Sequence, residues 1–139
     1  MTAWLLKTEP STYSFADLQR EKRTMWEGVK NAAALINLRK MGVGDDVLIY
    51  HTGNEKAVVG LARLFTADTK HGVVELEALK PLKHPVTLAA IKADKAFKEF
   101  ALVRISRLSA MPVSEDHFKR ILKMGARSSP SIDGREQRP

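Results

Sequence analysis

Apolar residues come in short blocks along this chain, each broken by charge, glycine or proline within a few positions. "TAWLLK" (2–7) predicts a strand, stopped by Glu9-Pro10. Ser14 stands at the start of "SFADLQRE" (14–21) with Asp17 three residues on, the pattern of a capped short helix. In "NAAALINLRKM" (31–41), Leu35, Leu38 and Met41 recur at helical spacing, Asn31 is placed to cap and Gly42 to terminate. "VGDD" (43–46) turns the chain into "DVLIYH" (46–51), whose apolar residues fall on both faces as in a central strand. "TGNEK" (52–56) has hairpin-turn chemistry and leads into a second strand, "AVVGLARLF" (57–65). Gly60 in its middle predicts a bulge, a barrel corner or a close approach by another group.

Beyond residue 72 the pattern changes period several times. "VVELEAL" (73–79) alternates, with Val74, Leu76 and Ala78 inward and Glu75 and Glu77 outward. Thr87 caps a short helix, "TLAAIKAD" (87–94). "ALVRIS" (101–106) predicts a strand, and "RLSAMPV" (107–113) a further extended stretch ending around Pro112. Ser114 caps the last helix, "SEDHFKRILKMG", in which Phe118, Ile121 and Leu122 form the buried stripe and Gly125 follows the end. Five or six strands joined by short turns and short helices, without regular strand–helix alternation, predict an α+β fold. The expected form is a small, mostly antiparallel β-barrel with peripheral short helices.

Composition narrows this little. A length of 139 residues suits one domain, expected over residues 1–125, with the polar segment 126–139 as a loosely ordered tail. The net charge is +7, which hints at an anionic partner. Residues 119–139, however, hold six Lys/Arg against two Asp/Glu, so more than half of the excess belongs to the last helix and tail. No apolar run approaches the roughly 20 residues that span a bilayer, and the N-terminus lacks a basic leader followed by an apolar stretch. With no cysteine there is no disulfide or thiolate metal site, and a cytoplasmic monomer is expected. His51, His71, His84 and His117 show no metal-ligand spacing, so neither a metal nor a cofactor is expected. No serine lies in a nucleophile-elbow context.

Three stretches carry candidate chemistry. In "MWEGVKN" (25–31), Trp26 is a large flat ring in polar, glycine-containing surroundings. It is either a core anchor at the edge of an element or the wall of a pocket. In "LLKTEP" (5–10), Lys7, Thr8 and Glu9 end an apolar strand, where polar side chains either satisfy the turn that Pro10 creates or point into a pocket. In "SRLSAMP" (106–112), Arg107 interrupts an apolar stretch. It is either an outward-facing surface arginine or a guanidinium that grips phosphate or stacks on a base, with Ser106 and Ser109 as hydroxyl donors beside it.

The series "WLLKTEP…MWEGVKN…VGDDVLIYH…KAVVGLA…SRLSAMP", in this order, resembles the EVE domain family over about residues 1–125. That family is a stand-alone PUA-like barrel related in fold to the YTH domains that read methylated RNA. The pattern W-[DE]-G-V-R-N falls on Trp26 through Asn31, K-[ST]-E-P on Lys7 through Pro10, Y-H on Tyr50 and His51, and S-R-L-S-x-M-P-V on Ser106 through Val113. The resemblance implies binding of DNA or RNA that carries a modified, methylated base, flipped into an aromatic-walled pocket. The implied pocket residues are Trp26, Thr8, Gly28, Val29, Asn31, Tyr50, Ser106, Ser109 and Pro112, with Lys7, Lys30, His51 and Arg107 for phosphate and polar contacts. Three departures stand out: Lys30 in place of arginine, "AAALI" (32–36) where the family often has Y-Q-A-R-N, and a loop shortened to "TADTKHG" (66–72).

A non-enzyme is expected. The alternative is an amidohydrolase of the ASCH type, another PUA-like barrel, acting on acylated nucleosides through a Lys, a Thr and a Glu. Lys7, Thr8, Glu9 and Glu27 are in plausible places for it. Adjacent strand residues such as Lys7 and Thr8 point to opposite faces, which tells against that pairing.

Overall fold

The structure, a computed structural model, describes residues 3–26, 40–68, 73–105 and 108–126. The predicted helix 31–41 is outside them except for its last two residues, as are most of the 66–72 loop and the tail beyond residue 126. Among the described residues six strands form one mixed sheet: β1 (Ala3–Thr8), β2 (Arg23–Trp26), β3 (Asp46–His51), β4 (Ala57–Asp68), β5 (Val73–Thr87) and β6 (Ala110–Val113), in the order β2-β5-β4-β3-β1-β6. β1 runs parallel to β3, and the four other pairings are antiparallel. The row is open: β2 and β6 are its edges, and among the described residues no pairing joins them, which corrects the expectation of a closed barrel. Among the described residues four helices flank it, α1 (Phe15–Glu21), α2 (Leu88–Ala93), α3 (Ala101–Arg104) and α4 (Glu115–Ala126).

The run "DVLIYH", read as a central strand, is central, and "TAWLLK" lies beside it. Leu5 and Leu6 in β1 and Val47, Leu48 and Ile49 in β3 are buried on both faces, and the strands align from Ala3 opposite Asp46 to Thr8 opposite His51. β5 runs eight residues past the predicted end at residue 79, through Pro81 and Pro85. β2 pairs with β5 from Val74 to Glu77, and among the described residues the later part of β5 has an open edge that tolerates a missing N–H. Three register shifts break the β4–β5 ladder, one of them at Gly60. Gly60 also lies beneath Phe15: a Cβ there would come within 2.5 Å of the ring's Cε1 and Cε2. Two of the readings of that glycine, bulge and close approach, therefore hold together.

The α1 cap forms in full, Ser14 Oγ accepting from Asp17 N and Asp17 accepting from Ser14 N. Thr87 caps α2, accepting from Ala90 N at 3.1 Å, and Ser114 accepts from His117 N at the start of α4. Gly125 lies inside α4, not after it. A Cβ on it would stand 2.9 Å from Leu82 Cδ1 and 3.3 Å from the His84 carbonyl, so its bareness lets α4 press onto β5.

Two strand assignments change. "ALVRIS" is one helical turn, α3, closed by Ile105 N donating to Ala101 O at 2.7 Å. It continues a winding that begins in the 3-10 turn Lys95–Phe97, and the burial of Phe97, Phe100 and Leu102 overrides the β propensity of its valine and isoleucine. The edge strand β2 has no counterpart in the periodicity. Four residues with Arg23 and Met25 exposed give too short an alternation to recognise.

Candidate functional site

β1 and β3 end side by side, and the turn that follows each carries most of the described candidates. Lys7 stands opposite Tyr50, and Thr8 opposite His51. Alternation along a strand sends the two pairs to opposite faces. On one face the Lys7 ammonium lies 5.7 Å from the centre of the Tyr50 ring. Burial pushes the Lys7 ammonium below the usual lysine value and the Tyr50 phenol above the usual tyrosine value. Both shifts have the same cause, a low-dielectric setting that disfavours each charged form. Lys7 N donates to Ser109 O at 2.9 Å, bringing the start of β6 to the same end of the sheet.

The other face is tied to α1. Thr8 Oγ1 donates to Tyr13 O at 2.6 Å. His51 is buried; its Nε2 accepts the Phe15 N–H at 3.0 Å and its Nδ1 lies 2.8 Å from Glu55 Oε1. An acceptor at Nε2 requires the proton on Nδ1, where it is donated to Glu55. His51 thus serves the first free N–H of α1, one of the orphan donors that every helix start presents. Glu9 completes the turn. Its carboxylate accepts from Ser11 N, Ser11 Oγ and Thr52 Oγ1, and its backbone carbonyl accepts from Thr12 N and Tyr13 N. The Ser11 amide, then the Thr52 hydroxyl, hold the Glu9 carboxyl below the usual glutamate range.

The candidates therefore divide. Lys7 and Tyr50 share one face, with the backbone of Ser109 beside them. Thr8 and His51 sit on the other with their side chains engaged by the β1–α1 turn and α1. Pro112 is exposed on the edge strand β6, opposite Trp4. The backbone of Trp26 ends β2 opposite Val74, with β5 and β4 between it and β3 in the sheet. The Trp26 side chain, Glu27, Gly28, Val29, Lys30, Asn31, Ser106 and Arg107 lie outside the described residues. Of the set in the alternative reading, the Thr8 hydroxyl donates to a backbone carbonyl and the Glu9 carboxylate is engaged by its own turn, while Glu27 lies outside the described residues.

Several roles escaped the sequence reading. The other tryptophan, Trp4, is buried and donates through Nε1 to Asp45 Oδ2 at 2.9 Å. Asp45 also accepts from Gly42 N, so the "VGDD" turn doubles as the partner of a buried indole. Glu55 belongs to the turn 52–56, and nothing in a single glutamate marks it as an imidazole's partner. Among the described residues there is no group of three His, Asp or Glu placed to hold a metal ion, and no helix long and apolar enough to cross a membrane.

The family model for the EVE domain matches residues 2–124. This chain belongs to the EVE domain family. Within reach of that family stands Rpa0253 from Rhodopseudomonas palustris, 34% identical, with a TM-score of 0.84 over 97% of this chain and 100% of that one. The thymocyte nuclear protein 1 of Gallus gallus is 26% identical over 87% of this chain and 67% of its own length. Human thymocyte nuclear protein 1, solved in complex with 5-methylcytosine-containing DNA, shares the fold with a TM-score of 0.82 over 92% of this chain and 99% of that one, at 22% identity.

Proposed function

We propose that this EVE domain binds nucleic acid and reads a modified base, first among them 5-methylcytosine in DNA, without catalysing a reaction. The observation that carries this reading is the human relative of the same fold seen with 5-methylcytosine DNA. Membership of the EVE family over residues 2–124 supports it. The base enters a hollow walled by Trp26 and by the residues that follow it, Gly28, Val29 and Asn31, with Lys7, Tyr50 and the Ser106–Ser109 stretch at the ends of β1, β3 and β6 contributing polar edges. Lys30 and Arg107 meet phosphate. The structural work of Thr8 and His51 makes them supports of this site more than direct contacts.

Magnitudes constrain the mechanism. A base stacked on an aromatic face gains roughly 1–3 kcal/mol, whereas extruding it from a duplex costs a few kcal/mol. Stacking and extrusion nearly cancel, so hydrogen bonds to the base edge and cationic contacts to phosphate must supply net affinity. A fully buried methyl carbon adds about 0.8 kcal/mol, and a well-shaped pocket raises discrimination to roughly 10- to 200-fold. The expected reader is therefore of modest affinity, selective for the mark, with a weak sequence code.

Trp26→Ala tests the pocket. Its binding to a methylated oligonucleotide should fall at least tenfold while the thermal midpoint moves by only a few degrees. A variant that loses most of its stability yet binds normally in its folded fraction would make Trp26 a core anchor and remove the pocket wall. The amidohydrolase alternative predicts release of free acid from acylated nucleosides, and none is expected.

A further inference from the structure

The β3–β4 hairpin, residues 52–56, has two residues in the left-handed region of backbone space, Gly53 (φ 74°) and Lys56 (φ 46°). Glycine adopts that region freely, but a lysine there is strained, because its Cβ crowds the backbone. Strain kept at an exposed loop position is a pointer to function when the residue's chemistry is left free. Lys56 is exposed, and among the described residues it has no ion-pair partner. Its carbonyl accepts from Leu88 N at 2.7 Å, which fixes the hairpin tip against α2.

Lys56 lines a hollow with Asn54, Glu55, Thr87, Leu88 and Lys92. Lys92 is exposed and likewise unpaired among the described residues. The one carboxylate of the hollow, Glu55, accepts from His51 Nδ1 and keeps its charge, and the two ammonium groups outnumber it. The hollow therefore carries a net positive charge from two ammonium groups that have no ion-pair partner among the described residues, whereas Arg20, Lys119 and Arg120 are matched by Asp17, Glu115 and Asp94. The same hairpin is laced to the end of β1, through Thr52 N to Thr8 O and Thr52 Oγ1 to Glu9. The hollow therefore lies at the same end of the sheet as the strand ends assigned to the base.

We propose that Lys56 and Lys92 form a backbone clamp, holding phosphates of the strand whose modified base enters the site. This rests on the nucleic-acid reading above and adds to it the surface that supplies sequence-independent affinity. Lysine meets phosphate as a point charge, and each neutralised phosphate releases counterions, giving a slope of about −0.9 in log K against log salt on duplex and about −0.7 on a single strand.

The test is fluorescence anisotropy between 50 and 200 mM salt, using an oligonucleotide with one 5-methylcytosine and its unmethylated twin. The proteins are the natural chain, K56G, K92Q and the double variant. Each single change should flatten the slope by about one unit, weaken both probes by the same factor and leave their ratio intact. K56G should also raise the thermal midpoint or leave it unchanged, since glycine relieves the strain. If K56G is more stable but the slope and affinity of all variants match the natural chain, the clamp is refuted while base reading stands. If the lysine changes flatten the slope and the natural chain binds both probes equally, the clamp stands and base reading falls. Binding to neither probe overturns both.

Discussion

A single imidazole shows how residue chemistry is divided between fold and site. The Y-H pair at the end of a strand reads as two adjacent ligand contacts, yet alternation separates them. Tyr50 shares a face with Lys7, and His51 is locked between the Phe15 N–H and Glu55. His51→Ala would leave a buried amide without an acceptor, a loss of about 1–3 kcal/mol. Glutamine can place a carbonyl oxygen near the former Nε2, so His51→Gln should recover most of it; urea denaturation of the two variants measures the difference. The tyrosines give a pH prediction. The chain has two, Tyr13 and Tyr50, and burial is the first cause that raises both above the usual value of 10.0. A raised folded pKa contributes stability that is complete below the unfolded value and is lost as pH rises through the folded one. Phenolate absorbance should accordingly emerge above pH 10, later than in the urea-unfolded chain, with stability falling over the same range.

At the level of elements, most of what the sequence foretold was local chemistry, and most of what it hid was tertiary. Capping is written in consecutive residues, so Ser14, Thr87 and Ser114 were legible. The continuous apolar run of β3 likewise announced a strand covered on both faces, and that of β1 a strand. The α3 turn was not legible, because the burial of Phe97, Phe100 and Leu102, with both phenylalanine rings against His117 of α4, decides it, not the local preference of "ALVRIS". Nor was the far half of β5, whose prolines are tolerated only because β2 stops short. The sequence showed Gly60 as exceptional without naming Phe15 as the reason. Gly125 makes the corresponding prediction for α4: Gly125→Leu, driven into Leu82 and the His84 carbonyl, should cost about 1–3 kcal/mol by over-packing. Thermal denaturation would register it, together with loosening of α4 seen as faster amide exchange.

Across the whole molecule, an open six-stranded sheet places two parallel strand ends and the start of β6 together, while β2 carries Trp26 at the opposite edge. Helix α1 spans that distance: it packs on β2 and β5, lays Phe15 over Gly60 in β4 and binds His51 in β3. The candidate site was legible in the sequence as a set of motifs, since strand ends and turns mark where polar side chains gather. Which motif residues face a ligand and which brace the turn depends on strand alternation and on α1, neither of which the motifs encode. Charge behaves the same way. The net +7 says only that an anion is welcome, whereas internal ion pairing decides which cations are left to meet it.

The most direct measurement is the ratio of dissociation constants for one oligonucleotide with and without a single 5-methylcytosine, at matched sequence and salt. The account predicts tighter binding of the methylated strand, by roughly 10- to 200-fold. Equal affinity for the two strands would contradict it.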